Sequence, residues 1–101
     1  PFEQALFVSG TVIAVGANWS VAYVGLKSLG MDHGNPTVVG GSVWFCSDEH
    51  VTYTADDLGR VGDRIRVVPA HVDPTMAMHE SAWVVSGDDV VDRWPIDLRG
   101  W

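Results

Sequence analysis

The chain has one cysteine, one lysine and only six Lys+Arg in all, and each scarcity excludes something. A lone Cys46 rules out an intrachain disulfide framework. Flanked by Trp44 and Phe45, it reads as a buried, inert thiol in a packed strand, and the lack of cysteine pairs fits the cytoplasm. Six basic against thirteen acidic residues leave a net charge of −7. No cationic face is then available to displace counterions from a phosphate backbone, so nucleic acid is excluded as a partner. No run approaches the ~20 apolar residues of a membrane span, and no signal peptide is visible. There is no glycine-rich cradle leading into a helix to receive a cofactor phosphate. The sole lysine, Lys27, invites a Schiff-base reading, but a solvated lysine is the expectation.

What is present points to β structure. At 101 residues with 47% hydrophobic side chains, the chain suits one domain, folding with about 60–68% of its extended surface buried. It begins Pro1-Phe2-Glu3 without an initiator methionine, so we expect a processed product or a fragment of a longer protein. Residues 5–17 are rich in β-branched side chains and predict a strand bent or bulged at Gly10. After the turn Asn18-Trp19-Ser20, residues 21–29 predict a second strand with Ala22, Val24, Leu26 and Ser28 on one face. Gly30 to Pro36 is a loop; residues 42–46 and 51–54 form a hairpin around the corner Ser47-Asp48-Glu49-His50. Residues 64–68 alternate as a strand ending at Pro69, and Pro74 suits the start of one short helix over 75–80. Residues 82–86 and 90–94 flank Gly87-Asp88-Asp89 as a last hairpin. The fold class is all-β, a small barrel or sandwich of about seven or more strands with at most one short helix. The five tryptophans read as core or interface anchors, with Trp101 packing against something outside the chain.

The segment most suggestive of chemistry is His71-Val72-Asp73-Pro74, directly after the 64–68 strand. In extended backbone, residues i and i+2 share a face, so this imidazole and carboxylate can reach one ion. A proline at 74 pushes Asp73 out of the helical region towards that geometry. His-x-Asp alone is weak, being more often a surface hydrogen bond or an ordinary turn. Asp48 and His50, at another corner between strands, are expected to converge on it. Two protein ligands with the other positions left to water make an open site for substrate, and the donor set suits Zn²⁺ or Mn²⁺ equally. His33 and His79 read as surface or capping groups.

These residues also carry a resemblance. Gly25-Leu26-Lys27-Ser28-Leu29, Asp32-His33-Gly34-Asn35-Pro36, Ser47-Asp48-Glu49-His50, the run from Gly62 to Thr75, and Arg93-Trp94-Pro95 with Arg99-Gly100 resemble, in order and spacing, the C-terminal domain of D-threonine aldolases and D-serine dehydratases. The resemblance implies part of a pyridoxal-phosphate enzyme of the alanine racemase fold class. An N-terminal α/β barrel would carry the cofactor lysine, a small D-amino acid would be the substrate, and the full-length protein would be a homodimer. The family's metal-binding histidine and its acidic or cysteine partner map onto His71 and Asp73, with aspartate resembling the aldolases. His50 resembles the family's Glu-His element and is expected to line the site. The resemblance further implies that the metal polarises a β-hydroxyl while the cofactor stores the α-carbanion's electrons. Aldolase, dehydratase and racemase activities stay open. One departure is Tyr23-Val24-Gly25, where the family commonly reads Asp-Ala-Gly.

Two other classes compete. A cupin-like metal barrel is disfavoured by spacing, because the glutamate nearest after Asp73 is Glu80, seven residues on. A pure dimerisation module would need no metal at all.

Overall fold

Small β-branched side chains at alternate positions build this fold. The computed structural model describes residues 3–97 and 99–100, which form eight strands and one short helix, so the expected all-β class holds. The strands are β1 (Val8–Val15), β2 (Ser20–Tyr23), β3 (Thr37–Val38), β4 (Gly41–Cys46), β5 (His50–Ala55), β6 (Arg64–Val68), β7 (Ser81–Ser86) and β8 (Asp89–Pro95); the helix α1 (Val72–Ala77) lies between β6 and β7. Six strands make one sheet in the order β3-β6-β1-β2-β5-β4, antiparallel throughout. Its two edge strands, β3 and β4, follow one another in sequence and lie in contact, so the sheet curls into a nearly closed barrel. The turn that joins them carries Gly40 at φ +80, a conformation that costs glycine nothing.

Inside sit Val12, Ala22, Val24, Leu29, Val38, Val51, Tyr53 and Val67, all buried. Each valine contributes about 1.5–3 kcal/mol by leaving water. The inward side chains alternate along β5 (Val51, Tyr53) and β2 (Ser20, Ala22) as period-two geometry demands. Among the described residues, no tryptophan lies in this interior. Trp44, Trp83 and Trp94 are exposed and Trp19 is half-buried against Gly16, which corrects the core half of the expectation for these residues. The expectation for Trp101 falls outside the described residues. Cys46 is half-buried rather than buried, and burial pushes its thiol above the ordinary value.

Other corrections have local causes. The bulge in β1 falls between Val12 and Ala14, not at Gly10; Gly10 stays in register with Ile65, and its lack of a side chain admits Val24, which a Cβ there would approach to 2.8 Å. The second strand stops at Tyr23 instead of running to residue 29. Leu26 and Lys27 turn away to donate their amides to Ser47 and Asp48 carbonyls at 2.9 Å each. This close approach requires Gly25, where a Cβ would sit 2.3 Å from the Ser47 carbonyl. The turn reverses the inward–outward phase of residues 26–29, so Leu29 is fully buried while Leu26 is exposed.

The helix starts at Val72, three residues earlier than expected, and takes in Asp73. Proline at the third helical position costs no hydrogen bond, because first-turn amides have no partner within the helix. Tertiary contact then overrides the extended bias that proline gives its predecessor: Pro74 packs so closely on Gly30 that a Cβ on Gly30 would lie 2.4 Å from it. Beyond α1, β7 and β8 pair only with each other and cross through Gly87-Asp88, with Gly87 at φ +61 as the first position of a type II′ turn requires. Every residue of β8 is exposed, as are Trp83 and Val85 of β7.

Thr75 is the one buried threonine, and its hydroxyl accepts from the Gly30 amide at 2.8 Å and donates to the His71 carbonyl at 2.7 Å. Thr75→Val keeps the volume but takes the hydroxyl acceptor from the buried Gly30 amide and leaves the His71 carbonyl only its helical bond, so urea unfolding should show a loss of about 1–3 kcal/mol. Thr75→Ser should retain most of the stability, and equal stability of the valine variant would contradict the relay.

Candidate metal centre

His71 leaves β6 through Pro69-Ala70 and sits at the start of α1 in extended backbone, φ −140 and ψ 116. An isolated antiparallel bridge to Gly30, reinforced by the Thr75 hydroxyl, pins it against the loop that carries Asp32 and His33. The His71 Nδ1 and Asp32 Oδ2 lie 2.7 Å apart in a side-chain hydrogen bond. His33 Nε2 is 3.6 Å from the same carboxylate oxygen, and the His33 ring meets the His71 ring edge-on with centroids 4.3 Å apart. Two imidazoles and a carboxylate thus offer ligand atoms all within 4.8 Å of one another; among the described residues no other such group exists. The donor set, with nitrogen and oxygen and no thiolate, fits Zn²⁺ or Mn²⁺. His71 is half-buried and the two loop residues are exposed, so the cluster opens to solvent.

The hydrogen bond from His71 holds the Asp32 carboxyl below its ordinary value; burial opposes it, and a backbone hydrogen bond and the charges of His71 and His33 add lesser contributions in the same direction as the His71 bond.

The other expected participants stand elsewhere. Asp73 is exposed in the first turn of α1, so it does not share a strand face with His71 and is not in the cluster. His50 opens β5 opposite Tyr23, against whose ring it packs edge-on at 5.8 Å. Neither it nor Asp48 joins the cluster, so the expected convergence of the Ser47–His50 corner on His71 is replaced by convergence of the Asp32-His33 loop. Lys27 is exposed and paired with Glu49 at 2.7 Å; that hydrogen bond, then the charge, raises its pKa. A Schiff-base lysine needs the opposite shift. His79 donates Nε2–H to the Ser28 carbonyl at 2.9 Å and ties the far end of α1 to the Lys27 turn.

Sequence reasoning missed the partnership of Asp32 and His33 with His71. The available signal was an Asp-His pair, flanked by Gly30 and Gly34, between strands.

The small near-closed barrel is a fold shared with solved structures. The chain belongs to the family described as Putative serine dehydratase domain, whose model matches residues 5–85. It is similar to the 3-hydroxy-D-aspartate aldolase of Paracoccus denitrificans, 36% identical over 104 residues that cover 98% of this chain and 27% of that protein. With the D-threonine aldolase of an Arthrobacter species it shares 38% identity over 109 residues, 98% of this chain and 28% of the relative. The crystal structure of D-threonine aldolase from Filomicrobium marinum superposes with a TM-score of 0.90 at 33% identity, covering 99% of this chain and 30% of that one. A D-threo-3-hydroxyaspartate dehydratase variant in its metal-free form has a TM-score of 0.74 at 22% identity, which shows the fold alone. The chain spans 27–30% of the length of these aldolase relatives.

Because the folded-state pKa of Asp32 lies below its ordinary 3.8, the stabilisation from its ionised form is complete above that value and is lost as pH falls through the folded midpoint. A carbon-detected NMR titration of the Asp32 carboxyl should give a midpoint below 3.8 that returns towards 3.8 in His71→Ala. A parent midpoint at or above that value would contradict the hydrogen bond.

Proposed function

We propose that this chain is the C-terminal β domain of a larger pyridoxal-phosphate- and metal-dependent enzyme acting on β-hydroxy D-amino acids of the D-threonine or D-serine type, with His71 and Asp73 as its metal ligands. The observation that carries this reading is the position of His71. It stands at the start of α1, beside a second imidazole and a carboxylate that are both exposed, in a chain aligned along almost its whole length with two aldolases.

His71 offers an imidazole nitrogen, and Asp73, solvent-facing two residues on, offers a carboxylate. Two protein ligands leave the remaining positions to water and substrate. When bound, Zn²⁺ or Mn²⁺ supplies Lewis-acid polarisation of the substrate's β-hydroxyl, and pyridoxal phosphate supplies the electron sink at the α-carbon. This chain's part is to bind and orient, with His50 as a further residue lining the substrate space. Lys27, exposed and paired with Glu49, is not the cofactor's anchor, so that role falls to an N-terminal α/β barrel of the same protein, in a cytoplasmic homodimer.

The exposed apolar hairpin supports a partner domain. Trp83, Val85, Val90, Val91 and Trp94 are all exposed on this hairpin, apolar surface of the kind a partner domain would cover.

In the full-length protein, His71→Ala and Asp73→Ala should each lower metal-dependent cleavage of a β-hydroxy D-amino acid on the order of 100-fold or more, since Lewis-acid stabilisation is worth several kcal/mol. Unchanged metal-dependent turnover in either variant would sink the ligand assignment. Pyridoxal-dependent turnover by the 101-residue chain alone would overturn the accessory-domain reading.

A further inference from the structure

The carboxylate that touches His71 is Asp32, not Asp73, and the difference gives Asp32 a task of its own. We propose that Asp32 is the positioning residue for His71: its carboxylate accepts the Nδ1–H of the imidazole, fixes that tautomer, and leaves the Nε2 lone pair free and aimed outward for a divalent ion. This inference rests on the metal reading of His71 given above.

Three observations carry it. The 2.7 Å separation of Nδ1 and Oδ2 is that of a strong, charge-assisted hydrogen bond. An imidazole engaged in this way can offer a metal only its other nitrogen, as in the carboxylate–histidine–metal arrangement that orients ligand histidines. Second, Oδ2 is bonded to His71 and not shared with His33. His33 Nε2, at 3.6 Å from the same oxygen, is too far for a hydrogen bond, and its ring instead packs edge-on against His71 and limits rotation. Third, the backbones of the two partners are joined independently of their side chains, by the Gly30–His71 bridge and by the Thr75 hydroxyl that accepts from Gly30 and donates to His71. The pair is thus presented by a preformed scaffold.

Direct ligation by Asp32 fits less well. An ion bound by both atoms at about 2.0–2.2 Å from each would hold them about 3 Å or more apart, whereas at 2.7 Å a shared proton is satisfied as the groups stand. Asp32 has a 55% exposed side chain, so it can be replaced without opening the core.

The test pairs two readouts. Long-range proton–nitrogen NMR correlation of the chain, with the imidazole neutral, reports the His71 tautomer without any metal. Equilibrium dialysis of Mn²⁺ against the full-length protein reports affinity. In the parent, His71 should be the Nδ1–H tautomer. Asp32→Ala should collapse it to a mixture and weaken Mn²⁺ binding about 10–100-fold; Asp32→Asn, which keeps an acceptor oxygen, should restore part of both, and His71→Ala should remove binding altogether. An Nε2–H tautomer in the parent overturns the proposal, as does an unchanged tautomer and affinity in Asp32→Ala. Loss of binding in Asp32→Ala as complete as in His71→Ala, with the tautomer intact, would make Asp32 a direct ligand and also overturn it. If His71→Ala leaves Mn²⁺ affinity unchanged, the metal reading itself fails and takes this use of the pair with it, while the tautomer still reports whether the hydrogen bond exists.

Discussion

The Thr75 hydroxyl, taking a hydrogen bond from Gly30 and giving one to His71, joins two segments that are 45 residues apart in sequence. Everything at the candidate centre depends on that join. The hydroxyl is buried, and its loss would take from the Gly30 amide the acceptor it has in the interior. It also sets where α1 begins: with His71 held extended against Gly30 and Pro74 packed on the same glycine, the chain turns helical at Val72. His71 therefore faces the Asp32-His33 loop, and Asp73 is carried into the helix.

The same geometry separates two roles for acidic residues. Asp32 is engaged with an imidazole through Oδ2, whereas Asp73 is exposed in the first turn of α1. On the opposite side of the Gly25–Leu29 turn, Lys27 and Glu49 neutralise one another. If His71 and Asp73 hold the ion as proposed, this half-site would bind it weakly by itself, because two protein ligands leave most of the coordination shell to water. On the same proposal, the exposed tryptophans and valines of the β7–β8 hairpin would supply apolar surface for contact with the partner domain.

Much of the fold was legible because it is written in period-two alternation and turn chemistry. Strand β6 runs from Arg64 to Val68 as its alternating pattern demands, and the β4–β5 and β7–β8 hairpins form around the corners that polar residues and Gly87 mark. Strand β3 was not legible, since two residues carry no periodicity. The early end of β2 was hidden for another reason. Val24-Gly25-Leu26 reads as strand until the Ser47 carbonyl, distant in sequence, captures the Leu26 amide. At the site, the sequence singled out His71 and supplied the family through segments spread along the chain. It did not reveal Asp32 and His33 as neighbours of His71, because that contact is made by a buried threonine and a glycine bridge, neither of which leaves a spacing pattern.

The central claim is that His71 marks the metal-binding edge of this domain. The most direct test is a crystal structure of the full-length protein grown with Mn²⁺, with an anomalous difference map collected at the manganese edge. The account predicts a peak about 2.1 Å from His71 Nε2, with an Asp73 oxygen in the same coordination shell and Asp32 still bonded to Nδ1. A peak bound by other residues, with His71 outside the coordination shell of the ion, would contradict it.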